Sequence, residues 1–130
     1  MSEVLIKKSV QTELYKSKAP LEWAVINNNT LYTAQIPISS SGEVVAGGIK
    51  AQAKQTMDNL MHTLHCAGVN SDAVLQVLIY VTERHYLADF NEIYSQYFSS
   101  PYPNRAVMIV AGLAREEMLV EIVAYAAVNK

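Results

Sequence analysis

The sequence has 130 residues, 51% of them apolar and 17% charged, with a net charge of −2. This length supports one core without disulfides or a structural metal, and the composition excludes a disordered chain. A single cysteine excludes an internal disulfide, and with no basic run a nucleic-acid partner is not expected. The start of the chain lacks a signal-peptide layout, and no apolar run approaches the roughly 20 residues of a membrane span. The expectation is a cytoplasmic protein with no membrane partner.

Val4–Val10 reads as a short strand. Trp23–Ile26 and Leu31–Ile36 are apolar, β-rich segments, and Asn27-Asn28-Asn29 between them marks a hairpin turn. Ile49, Ala53, Met57, Leu60, Leu64 and Ala67 recur at steps of three or four, the apolar face of a helix that Gly68 ends. Val74–Val81 is a nearly continuous apolar run, which predicts a strand covered on both faces. Leu87, Phe90, Ile93, Tyr94, Tyr97 and Phe98 mark a second helix, stopped before Pro101. Ala106–Ala111 and Met118–Val128 are two further strands, joined through Gly112–Glu117 as a hairpin.

After the short first strand the predicted order is ββαβαββ, an α+β fold of one domain over residues 1–130. Its mixed sheet carries both helices on one face. Two helices leave the other face apolar and uncovered, so a homo-oligomer formed through the sheets is expected.

Two charges stand out. Arg105 comes just before an uncharged strand, and Glu121 is the only charge between Met118 and Val128. A charge in such a strand is paired, hydrogen-bonded or functional, because burying it alone is costly. The hairpin would set Arg105 and Glu121 on neighbouring strands. One reading is a structural ion pair at a subunit contact. The other is a small pocket, with Arg105 holding a carboxylate through its planar fork and Glu121 positioning or activating a water.

Other residues carry less. His62, His65 and Cys66 lie within one helical turn, but no further ligand set completes a metal site, and His85 lies elsewhere. Gly47-Gly48 is not followed by the Lys-Ser/Thr of a phosphate loop. No metal is expected.

Gln35-Ile36-Pro37, Gly42-Glu43, Gln52…Gln55…Asn59-Leu60, Asn91-Glu92-Ile93-Tyr94 and Pro103-x-Arg105…Val120-Glu121-Ile122 occur in this order. Together they resemble the YjgF-type, or Rid (reactive intermediate deaminase), family, also described as endoribonuclease L-PSP-like, from about Pro20 to Val128. The resemblance implies a chorismate-mutase-like homotrimer with ligand clefts between subunits. It implies hydrolysis of enamines or imines such as 2-aminoacrylate to a 2-keto acid and ammonia, with no cofactor. It assigns Arg105 to the carboxylate of a small imine or enamine substrate and Glu121 to the attacking water. Thr33, Ala34 and Asn91 would border the substrate.

The chain departs from that pattern in places. Many members carry Gly-Pro-Tyr at Ala19-Pro20-Leu21 and Cys at Val107. Ala34 replaces a Gly, Asn104 a smaller residue or Pro, and the loop over residues 112–117 is one residue longer and lacks a Pro. Leu21 and Val107 would make the substrate pocket more apolar, predicting weaker activity or a substrate with a bulkier apolar tail. A more apolar pocket would raise the pKa of Glu121, which Arg105 would oppose. The alternative function is a non-catalytic trimer that binds small carboxylate metabolites as a sensor or partner-binding module. Ribonuclease activity, attached to some members, is disfavoured by the absence of a basic groove.

Overall fold

A computed structural model describes residues 6–128. Its strands are β1 (Lys8–Ser9), β2 (Ala24–Asn27), β3 (Thr30–Gln35), β4 (Val74–Val81), β5 (Asn104–Ile109) and β6 (Val120–Ala127). Its α-helices are α1 (Gly48–Cys66) and α2 (Leu87–Tyr94). The α+β order and the mixed sheet are as the sequence predicts. Of the predicted first strand, Val4 and Leu5 lie outside the described residues, and only Lys8–Ser9 pairs with β2. The β2–β3 hairpin turns at Asn28, whose φ of 56° lies in the left-handed region that Asn tolerates.

The six strands lie in the order β1-β2-β3-β6-β4-β5. The predicted β5–β6 hairpin is therefore corrected: β4 lies between them, parallel to β5 and antiparallel to β6. The crossover through α2 carries the chain back over the sheet, which sets β5 parallel to β4. β6 then enters between β3 and β4, where Val120, Ile122, Ala124 and Ala126 are buried at the sheet centre. β5 starts earlier than predicted, so Arg105 lies inside it rather than before it.

The second helix is also shorter than predicted. It ends at Tyr94, and a turn closed by Tyr97 N–H donating to the Tyr94 carbonyl (3.0 Å) follows. That turn keeps three- and four-residue spacings on one side, so Phe98 still stacks on Tyr94, with ring centroids 4.8 Å apart.

α1 buries Ile49, Ala53, Met57, Leu60 and Leu64 against the sheet. Gly68, at φ 83°, ends it, with Val69 N–H donating to the Leu64 carbonyl. The same buried side carries polar groups that clamp backbone. Asn59 Nδ2 donates to the Ile36 and Ile38 carbonyls, each at 3.0 Å. Gln52 Nε2 donates to the Glu117 carbonyl (2.9 Å), and its Oε1 accepts from Leu119 N–H (2.8 Å). Gln35 Nε2 donates to Thr33 Oγ1 and Thr63 Oγ1, both at 2.9 Å. Buried polar groups satisfied in this way fix the segments they hold. Those segments, around Ile36 and just before Val120, are walls of the cleft described next.

Among the described residues the opposite sheet face carries no helix. Its rows include Val25–Tyr32–Tyr125 and Ala34–Val123–Leu78–Ala106. Tyr32 is 42% exposed and meets Tyr125 edge-on. No helix of the described residues is long and apolar enough to cross a membrane.

Candidate active site

Strand alternation sorts the predicted residues onto two sides of the sheet. On β6, Glu121 points to the helix-free face, flanked along the strand by buried Val120 and Ile122. It opens into a cleft of about 220 Å³. Ala34 and Ile36 form one wall, Met118 another, and Trp23 and Leu21 the rim. Trp23 is held by its indole Nε1–H, which donates to the Tyr15 carbonyl at 2.7 Å. Burial in these apolar walls pushes the Glu121 carboxyl above the usual carboxylate range. The expected rise is found, while the opposing effect expected of Arg105 is absent within the chain.

Arg105 occupies the other side. It pairs in register with Val77, and Val77 with Ala124, a row covered by helix. Its Nη2 donates to Asn91 Oδ1 at 2.7 Å, and its guanidinium carbon lies 4.9 Å from the Tyr94 ring centroid. Val107 follows on the same face, paired with buried Ile79. Asn91 and Tyr94 are one helical turn apart on α2, which puts both over the β5 edge. α2 is tied to α1 by the exposed Lys50–Glu92 pair, and the turn after it by Tyr97 Oη–H donating to Asp58 (2.7 Å). Tyr94 is buried beneath the guanidinium. Burial raises its phenol pKa, and the Arg105 cation opposes the rise.

Arg105 and Glu121 thus lie on opposite faces, two strands apart and three residues out of register. Strand spacing and rise put their Cα atoms about 14 Å apart. One chain does not bring them together. The predicted residues fall into two half-sites: Arg105, Asn91 and Val107 on one side, and Glu121, Ala34 and Leu21 on the other.

Thr33 belongs to neither. It is buried towards the helices, donating to the Trp23 carbonyl and accepting from Gln35. Its bond to Trp23 supports the cleft rim rather than lining the cleft. Three residues escaped the sequence reading. Tyr94 was legible as an apolar position and as the end of the Asn91-Glu92-Ile93-Tyr94 motif, with no role assigned. Trp23 was hidden within a strand pattern, and Arg115 sits in a loop where charges are ordinary. His62 Nε2 accepts from Glu13 N–H at 2.9 Å and lies 3.5 Å from Cys66 Sγ, away from both half-sites.

Comparison with known proteins assigns the chain to a family. A RutC family protein of Pyrococcus horikoshii is 32% identical over 128 residues, covering 96% of this chain and 98% of that protein. The Homo sapiens 2-iminobutanoate/2-iminopropanoate deaminase is 36% identical over 98 residues, covering 74% of this chain and 72% of the enzyme. The crystal structure of E. coli TdcF with bound serine superposes with a TM-score of 0.85 at 26% identity, over 94% of this chain and 99% of that one. The Endoribonuclease L-PSP family profile matches residues 12–128, nearly the whole described chain, and on that match the chain belongs to this family, the YjgF or Rid family.

Proposed function

We propose that the protein is an enamine/imine deaminase, acting on reactive intermediates such as 2-aminoacrylate as a homotrimer. One observation carries the proposal: each half-site lacks what the other holds. Glu121 is a desolvated carboxylate in a cleft with no contact to Arg105. Arg105 is a guanidinium fixed by Asn91 and Tyr94 at the sheet edge, with no carboxylate within 4 Å among the described residues. Docking β5 of one subunit beside the cleft of the next would join them, and the apolar helix-free face supplies surface for the contact.

In that arrangement Arg105 grips the substrate carboxylate with its remaining N–H donors. The enamine tautomerises to an imine, whose carbon faces a water held by Glu121. The water oxygen bonds to that carbon, the C=N π electrons move to nitrogen, and Glu121 takes the proton released by the water. Glu121 first returns its proton to the nitrogen, completing the carbinolamine. It then takes the hydroxyl proton, whose O–H electrons form the C=O bond as the C–N bond breaks, and passes it to the leaving nitrogen, so ammonia departs and a 2-keto acid remains. Free imines already hydrolyse in water, so positioning supplies most of the gain. The relatives named 2-iminobutanoate/2-iminopropanoate deaminase support this chemistry.

A second reading, a trimer that binds small carboxylates without turning them over, is favoured by Leu21. It is 45% exposed at the cleft rim, where it offers no hydroxyl. Release of pyruvate and ammonia from 2-aminoacrylate generated in situ separates the two. Acceleration that disappears in Arg105→Ala supports the deaminase. Calorimetric binding of 2-keto acids with no acceleration supports the binding module.

A further inference from the structure

The Glu121 cleft holds a cation that the deaminase reading leaves without a task. Arg115, on the loop between β5 and β6, lines the cleft beside Glu121, Ala34 and Trp23. It is half-buried and held at both ends. Its carbonyl accepts from Met118 N–H at 3.1 Å, and its Nη1 donates to the Gly42 carbonyl. Gly42 itself is constrained: at φ 89°, any Cβ there would lie 2.5 Å from the Tyr15 ring. The anchor for Arg115 is therefore built into the fold.

Among the described residues no carboxylate lies within 4 Å of Arg115, and the nearby Glu22 is engaged by Ser9 Oγ. A guanidinium has five N–H donors, and the Gly42 carbonyl accounts for one of its nitrogens. Glu22 and Glu121 line the same cleft but neither reaches the guanidinium, so its remaining donors are open to an anion that enters between them. In the deaminase reading the α-carboxylate belongs to Arg105 of a neighbouring subunit, so Arg115 is available to a second acidic group.

Resting on that reading, we propose that Arg115 is a second carboxylate anchor, and that the preferred substrates are 2-imino acids carrying a carboxylate at the end of the side chain. The walls formed by Trp23, Ile36 and Met118 would pack the methylenes between the two acids. The reaction is unchanged: water adds to the imine carbon, the C–N bond breaks, and ammonia and a dicarboxylic 2-keto acid leave.

The test uses a pair matched in chain length, 2-iminoglutarate and 2-iminopentanoate, each made in situ by an amino-acid oxidase. The wild-type protein is expected to favour the dicarboxylic imine in kcat/KM by at least about tenfold. Arg115→Gln keeps an N–H donor for the Gly42 carbonyl while removing the charge, and should lower that ratio by at least about tenfold. Arg115→Lys should retain part of the preference, a recovery that a merely structural role does not predict. Faster hydrolysis of 2-iminopentanoate by the wild type, or an equal ratio in wild type and Arg115→Gln, overturns the second anchor and leaves the deaminase reading standing. No acceleration of either imine or of 2-aminoacrylate overturns both.

Discussion

Opposite-face placement of Arg105 and Glu121 makes a quantitative prediction about mixed oligomers. About 14 Å of sheet separates their Cα atoms, and the side chains leave on different sides. An active site that uses both must draw Arg105 from one subunit and Glu121 from another. Arg105→Ala and Glu121→Gln homo-oligomers should then each lose about a hundredfold or more in activity, since each spoils every site. Unfolding the two variants together at equal concentration and refolding them gives random rings. A site is intact only when its Arg donor is the Glu121→Gln chain and its Glu donor the Arg105→Ala chain. That combination has a chance of about one in four in a cyclic trimer. Ammonia release per subunit should therefore recover to about a quarter of wild type, far above either parent. Mixing the already folded variants gives the baseline. If co-refolding gives no more than the mean of the two parents, the two residues do not share an intersubunit site.

Three further outcomes follow from the same contacts. Asn91→Ala removes the hydrogen bond that orients Arg105. KM for 2-aminoacrylate should rise about tenfold with a smaller change in kcat, as steady-state kinetics would read. Asn59→Ala leaves the Ile36 and Ile38 carbonyls without their donor. It should lower unfolding stability by about 2–4 kcal/mol in a denaturant titration. Glu121→Gln should raise stability at neutral pH. The folded state holds the Glu121 proton more tightly than the unfolded chain does, so its ionisation opposes folding as pH rises through the raised value. Thermal melts of the two proteins should converge at pH values below the ordinary carboxylate range.

Much of this fold was legible because local pattern and global structure agree. The Ile49–Leu64 spacing reports a helix face, and the alternation in β6 set Glu121 apart as the lone charge among apolar residues. Strand partnership was not legible. Sequence adjacency suggested that β5 pairs with β6, whereas the α2 crossover and the apolar demand of the sheet centre put β4 between them. Arg105 and Glu121 were identified as a pair of interest, yet their true relation rests on the parity of two rows on opposite faces. Thr33 was expected at the substrate and instead braces the rim through the Trp23 carbonyl. Arg115 carried no signal in a polar loop, because only the folded chain brings Gly42 beneath it.

The most direct test of the Glu121 cleft as the seat of chemistry is the rate of ammonia release from 2-aminoacrylate between about pH 5 and 9, for wild type and Glu121→Gln. If the Glu121 carboxylate accepts the proton of the attacking water, wild-type acceleration falls as pH drops through a value above the ordinary carboxylate range. The variant then stays near the uncatalysed rate throughout. Full acceleration by Glu121→Gln at every pH would contradict the account.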